Sequence, residues 1–362
     1  MARKPEGELR RGWTTGACAT AATKAAYTAL VTGQFPDPVT IRLPRGETPA
    51  FALTRESIGD NEAWASVIKD AGDDPDVTHG AEIRSTVRWS PETDTVSFKA
   101  GDGVGVVTKP GLPIGVGEPA INPVPREMMR AAIAEVAAEQ DSSIGVEVEI
   151  SIANGEELAT RTWNPRLGIV GGLSVLGTTG IVVPYSCAAW IKSIHSGIDV
   201  ANALGLTHVA GCTGSTSEKT VQNWYRLDDV AMLDMGDFAG GMLKYLRRHP
   251  VARLTIGGGF GKLSKLAMGH LDLHSGRSQV NFDELANIAM SCGADGDLTD
   301  KIGAANTANE VLQLCTELQI PIAQCIAERA RDQALATLRG AAVDVDVMII
   351  DRRGNQVAHA RS

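Results

Sequence analysis

Residues 163–186 read WNPRLGIVGGLSVLGTTGIVVPYS, with five glycines, two adjacent threonines and a lone arginine between Asn164-Pro165 and Pro184. Glycine at this density makes poor helix and suits backbone that closely approaches a ligand or another chain segment. The stretch reads either as a buried β-hairpin whose glycines serve packing or as the wall of a binding site. It also marks a change of period. Before it, short alternating apolar runs lie between turn residues; after it, strand, tight turn and helix alternate.

The first part begins with hydroxyl caps at Thr14 and Thr15, an alanine-rich helix to about Leu30 and a stop at Gly33. Alternating runs at 39–43, 50–53, 64–68, 83–89, 95–98 and 104–107 predict a mostly antiparallel sheet. Pro125 suits the first turn of a helix to about Glu139, with Met128, Met129, Ala132, Ile133 and Val136 facing the core. Val146, Val148, Ile150 and Ile152 alternate, and Asn154-Gly155 predicts a type I′ hairpin turn.

In the second part, helices are expected at 186–203, from a Ser215 cap with Glu218, from an Asp237 cap to about Arg248, from an Asn281 cap with Glu284, and over roughly 305–318 and 321–339. Strands are expected at 206–210, 230–235, 254–257 and 343–350. Repeated β-loop-α units imply a mostly parallel sheet covered by helices, with ligands at the carboxyl ends of its strands. The expected architecture is an α+β N-terminal domain (1–163), largely an antiparallel sheet with packed helices, and an α/β Rossmann-like C-terminal domain (164–362).

A chain of 362 residues that is 43% apolar can bury a sizeable core and divide into two domains. The N-terminal MARKPEGELRRGW lacks an apolar segment behind its basic residues, and no run approaches a membrane span, so no membrane association is expected and a cytoplasmic location is. Cys18, Cys187, Cys212, Cys292, Cys315 and Cys325 contain no C-x-x-C pair and read as buried thiols. A net charge of −9 and an aromatic content of 4% argue against nucleic acid. A small molecule is the better ligand, and an anionic one needs its cations gathered locally.

Asp70, Asp73, Asp74 and Asp76 crowd around Gly72 and Pro75 but lack calcium-loop spacing, which favours a polar turn. Gly257, Gly259 and Gly261 form G-x-G-x-G between a strand and a helix, where backbone amides meet a phosphate, ribose or carboxylate. A Walker loop is excluded by its spacing to Lys262, and an NAD site would want an acidic residue at the end of the following strand, where none can be placed. His270 and His274 are four apart, but Gly269 and Gly276 make a helix between them doubtful, and no third ligand is in view. No metal is expected.

Six separated stretches together resemble one family. LRRGWTTGACATAATKAA (9–26), VIKDAGDDPDVTHG (67–80), GVGVVTKPGL (103–112), GEPAINPVPREM (117–128), NPRLGIVGGLSVLGTTGIVVPYS (164–186) and GKLSKLAMGHLDLHS (261–275) are similar, in order, to the signatures of the CbiD family of cobalt-precorrin-5B C(1)-methyltransferases of cobalamin biosynthesis. The resemblance implies methyl transfer from S-adenosyl-L-methionine to ring carbon 1 of the corrinoid precursor, giving cobalt-precorrin-6A. In the last signature Leu273 stands where the family usually has Thr before His274-Ser275. Beyond Asn281 the match is loose.

Such a substrate is an anionic corrinoid, so Lys109, Arg126 and Arg166 beside their glycine loops are the expected carboxylate partners. Thr14, Thr15, Gly177, Thr178 and Thr179 join them in the substrate wall. Either the Gly211–Gly214 turn or Gly257, Gly259 and Gly261 would hold the cofactor. Asp70, Asp73 or His274 would serve as a base, with substrate orientation the larger role for each. Residues 1–163 would then bind substrate and 164–362 the cofactor. A non-catalytic tetrapyrrole carrier or an NAD-dependent reductase is the alternative, and a homo-oligomer remains open.

Overall fold

The computed structural model describes residues 7–92 and 94–361; residues 1–6 of the N-terminal tail read above lie outside it. The chain divides into two compact units, one ending at Ser186 and the other beginning at Cys187. The division falls after Ser186 rather than after Trp163, because residues 164–186 pair with strands of the first unit.

In the first unit, β1 (Gly12–Trp13) leads into α1 (Thr15–Thr32), followed by β2 (Val39–Thr40), β3 (Ala50–Phe51), β4 (Arg55–Ile58), β5 (Glu62–Ile68), β6 (Glu82–Trp89), β7 (Val96–Ala100) and β8 (Val106–Val107). Then come α2 (Pro123–Gln140), β9 (Val146–Ile152), α3 (Gly155–Ala159), β10 (Ile169–Val170) and β11 (Ile181–Val182). Among the described residues, five strands form a sheet in the order β4-β5-β6-β9-β7. Its pairs are antiparallel except β7 with β9.

The alanines of α1 let it approach the sheet closely, packed on β5, β6 and α2. Thr23 Oγ1, fully buried, meets Ala19 O and Ser85 Oγ, each at 2.8 Å, so its burial leaves no polar group stranded. Val146, Val148, Ile150 and Ile152 are buried as the alternation predicts, each contributing about 1.5–3 kcal/mol.

The expected hairpin at Asn154-Gly155 does not form. Asn154 takes the left-handed conformation a turn requires, but the chain enters α3, and Gly155 lies against the backbone of Gly103. That remote contact decides what the dipeptide does.

The second unit runs α4 (Cys187–Ala203), β12 (His208–Cys212), α5 (Ser215–Tyr225), a 3₁₀ turn, β13 (Met232–Leu233), α6 (Ala239–Leu246), β14 (Arg253–Gly258), α7 (Phe260–Ala267), α8 (Phe282–Ser291), α9 (Gly296–Gly303), α10 (Ala308–Glu317), α11 (Ile322–Leu338), β15 (Asp344–Ile350) and β16 (Gln356–Ala360). Its sheet has the order β13-β12-β14-β15-β16, parallel except for β16. Asn281 caps α8 as expected, its side chain accepting from Glu284 N.

Two other expected caps do not form. Gly214 precedes α5 in place of Ser215, and Asp237 is drawn to Lys262 at 2.5 Å, so α6 starts at Ala239. Cys292 and Cys325 are bonded to each other, correcting the free-thiol expectation for that pair. No helix of the described residues is long and apolar enough to cross a membrane.

A buried polar cluster joins β15 to α5 and β16. Asp346, fully buried, accepts from Arg253 Nε at 2.7 Å and from Tyr225 Oη at 3.1 Å. The Tyr225 hydroxyl also lies 2.9 Å from His359 Nε2, and His208 Nε2 lies 2.8 Å from Thr255 Oγ1. Burial holds the His208 and His359 pKa values below the usual 6.5. Folding therefore favours their neutral forms, and the stability they contribute is present above about pH 6.5 and lost as pH falls through the folded-state values. Thermal melts from about pH 7.5 to 5.5 should show a falling midpoint, with a shallower fall for His359→Gln; equal slopes for the two proteins would contradict this.

Candidate functional site

Three of the six signature stretches meet at the head of α1. Thr14 Oγ1 caps the helix by accepting from Ala17 N at 3.1 Å, and Thr14 N donates to Gly180 O at 3.0 Å. Thr15 Oγ1 donates to Leu176 O at 3.1 Å and accepts from Leu176 N at 3.0 Å, and Gly16 N donates to Leu176 O at 2.9 Å. The 176–180 turn is thus riveted to the helix start. Gly177, at φ 133°, backs directly onto Thr14, where any side chain would intrude. Thr14 and Thr15 are buried, and their hydroxyls serve this joint. Thr179 Oγ1 accepts from Ile181 N at 3.2 Å, which leaves Thr178 as the exposed hydroxyl of the turn.

The aspartate loop closes the other side. Trp13 N donates to Asp70 O at 2.7 Å, Arg10 N to Asp73 Oδ2 at 2.6 Å, and Tyr185 N to Asp74 Oδ1 at 2.7 Å. Asp70 holds the Arg10 guanidinium through both oxygens, and this bond, with that from Gly72 N, lowers its pKa to about 2. Such a carboxylate is a poor proton acceptor near neutrality, and Asp70 and Asp73 both hold the entry strand.

One further stretch, residues 103–112, meets residues 164–186 around β8 and β10, which pair antiparallel. Thr108 N and Oγ1 donate to Gly168 O at 2.7 and 2.8 Å, and the Lys109 stem crosses Gly168, whose φ of 76° and missing side chain make room for it. Arg166 stands on the same 163–168 turn, its guanidinium 4.5 Å from the centre of the Trp163 ring. Lys109 and Arg166 are both half-buried.

Arg126 is occupied elsewhere. It donates to Ile121 O at 2.8 Å and Pro119 O at 3.0 Å, pairs with Glu118 at 2.8 Å and lies over Phe98, which fixes the 118–122 loop.

In the second unit the cofactor candidates gather where parallel strands end. Cys212 on β12 faces Gly257 on β14, and Thr213 N donates to Gly257 O at 2.9 Å. Gly214 and Gly259 are the cap residues of α5 and α7, neither helix has a side-chain cap, and a side chain added at Gly214 would meet nothing within 4 Å. Gly211 and Gly257 are buried and serve close packing on Met242 and on Val221 with Cys212; Gly261 abuts Ala308.

His274 lies in an exposed turn in which Nδ1 accepts from Gly276 N at 3.1 Å. In that arrangement the neutral ring carries its proton on Nε2 and is a donor there. The turn is held by Lys262 and Lys265, whose Nζ atoms donate to Leu273 O at 3.0 and 3.1 Å. Among the described residues, no three His, Cys, Asp or Glu side chains gather to hold a metal.

The sequence reading missed Lys69, buried under the aspartate loop and bound to Asp76 at 2.5 Å, as well as Asp74 as the anchor of Tyr185. A lysine opening an acidic run was the available signal; its burial depends on remote packing.

The CbiD family model matches residues 2–184, and that of the CbiD C-terminal domain matches residues 272–361. The chain is 59% identical over 353 residues to cobalt-precorrin-5B C(1)-methyltransferase of Brucella anthropi, covering 98% of this chain and 96% of that protein. It is likewise 59% identical to the protein of that name in Brucella canis, covering 98% of this chain and 97% of that one. A solved structure of a cobalamin biosynthesis protein (cbiD) from Archaeoglobus fulgidus is 27% identical, over 75% of this chain and 84% of that one, with a TM-score of 0.40. Matched along almost its whole length by curated relatives of one name, the chain belongs to the CbiD family.

Proposed function

We propose that the protein transfers the methyl group of S-adenosylmethionine to ring carbon 1 of cobalt-precorrin-5B, giving cobalt-precorrin-6A and S-adenosylhomocysteine. The observation that carries this reading is 59% identity over 98% of the chain to relatives of that name. The first unit supplies the corrinoid wall. Lys109 and Arg166, beside one glycine turn, meet substrate carboxylates, each charge-assisted bond contributing about 1.5–3 kcal/mol. Thr178 and the Gly177 backbone complete the wall above the α1 start.

The second unit, Rossmann-like in its parallel core, takes the methyl donor. From β12 the chain moves outward to β13 and then returns to β14 on the other side, so connectivity reverses between β12 and β14. Ligands of open parallel sheets bind in the crevice at such a reversal. Gly214 and Gly259 stand there with uncapped helix starts whose N–H groups suit a carboxylate or ribose oxygen. The donor supplies an electrophilic methyl; the ring carbon displaces the sulfonium sulfur in line, and no side-chain nucleophile is needed. Orientation and exclusion of water are the protein's contribution.

Incubation with cobalt-precorrin-5B and methyl-labelled S-adenosylmethionine should place label in the macrocycle. Macrocycle binding without label would favour a tetrapyrrole carrier, and oxidation of an added nicotinamide cofactor would favour a reductase.

A further inference from the structure

The hairpin of β2 and β3 carries two arginines that the substrate wall does not use. The strands pair antiparallel, and beyond them Ile41 N donates to Pro49 O at 3.1 Å, Leu43 N to Glu47 O at 2.8 Å and Gly46 N to Leu43 O at 2.9 Å. The last bond closes a tight turn over residues 43–46, with Gly46 at φ 98°. Val39, Ile41 and Leu43 are buried, so alternation puts Arg42 on the opposite face, and Arg45 stands at the tip of the turn.

Two contacts pin this hairpin to the head of α1. The Phe51 ring lies 5.5 Å from that of Trp13, the residue before the Thr14 cap, and the Leu43 side chain fills the space where Gly180 lacks one. Gly180 ends the turn that exposes Thr178, and Arg45 lies two residues from Leu43, hence within about 7 Å of it. Arg42 and Arg45 are both exposed, and among the described residues neither has an ion-pair partner.

A guanidinium held beside a glycine turn and left without a carboxylate suits a ligand that brings carboxylates of its own. The proposed wall has Lys109 and Arg166 at its β8–β10 end, but only hydroxyl and glycine backbone at α1, whereas the acid side chains of a corrinoid project from the whole rim of its ring. We infer that Arg45 binds a rim carboxylate of the macrocycle from the α1 side. Arg42, of equal charge on the same hairpin but on the face away from Gly180, takes no part. The inference rests on the reading that the first unit takes the corrinoid.

Steady-state methyl transfer by the full chain, with cobalt-precorrin-5B varied and labelled S-adenosylmethionine saturating, tests it. Arg45→Ala should raise KM for the macrocycle roughly 10-fold with kcat within about 2-fold of the wild type, the result of losing a contact made alike in the ground and transition states. Arg45→Lys should recover part of that loss, because the charge stays while the paired donors go. Arg42→Ala should leave KM unchanged. An unchanged KM in Arg45→Ala, or an equal rise in Arg42→Ala that marks a general field effect, would overturn the role of Arg45. No transfer by the wild type would instead sink the proposed function, and this inference with it.

Discussion

Replacing Lys69 with alanine should destabilise the first unit by roughly 3–5 kcal/mol, the usual effect of removing one partner from a buried ion pair. The Lys69 side chain is 1% exposed and its ammonium meets Asp76 at 2.5 Å. Asp76 also accepts from Thr78 N at 2.8 Å and Thr78 Oγ1 at 2.6 Å. Burial alone would raise the Asp76 pKa, yet Lys69 and then Thr78 outweigh it and hold the value below 3.8. Stability from the pair is therefore present above about pH 4 and lost as pH falls through the lowered value.

Urea denaturation should show a wide gap between wild type and Lys69→Ala near pH 7 that narrows in acid. A Lys69→Met, Asp76→Leu double variant should lose less than the single one, since no charge is left buried alone. A gap independent of pH would contradict this account. Methyl transfer should fall with the single variant, because the loop that Lys69 supports also fixes Trp13 and Tyr185.

Gly177→Ala should have the second large effect. At φ 133° a side chain is strained, and its Cβ would fall within the Thr14 side chain that caps α1. Strain of about 1–2 kcal/mol and displacement of a cap costing about 1 kcal/mol or more give roughly 2–4 kcal/mol, with loss of transfer as the turn moves. Gly171→Ala is the control. Its φ is 85°, but nothing lies within 4 Å of the added carbon, so only strain applies. Equal melting temperatures for the two variants would show that the contact with Thr14 does not matter.

Elements with a strong local period were legible in the sequence. α1 begins at a Thr14 cap and stops at left-handed Gly33, and β9 buries every second residue. The alternation of strand and helix after residue 186 gave the parallel sheet, although α9 and the antiparallel β16 were missed. Two-residue strands carry no period, so β10 and β11 became readable only through β8 and β1, their partners from distant sequence.

The site divides along the same line. Lys109, Arg166 and Thr178 were read from residue type beside glycine; the first two are half-buried and Thr178 is exposed. Arg126, Thr14 and Thr15 were equally plausible by type, but nearby carbonyls and N–H groups engage them. Asp70 was legible as an acid in a turn; the arginine that makes it a poor base lies 60 residues earlier.

The measurement that tests the central claim most directly is carbon NMR of the corrinoid after single turnover with ¹³C-methyl S-adenosylmethionine. The account predicts one new labelled methyl, on ring carbon 1, with one equivalent of S-adenosylhomocysteine released. Label at another ring position, or a bound and unmethylated macrocycle beside intact donor, would contradict it.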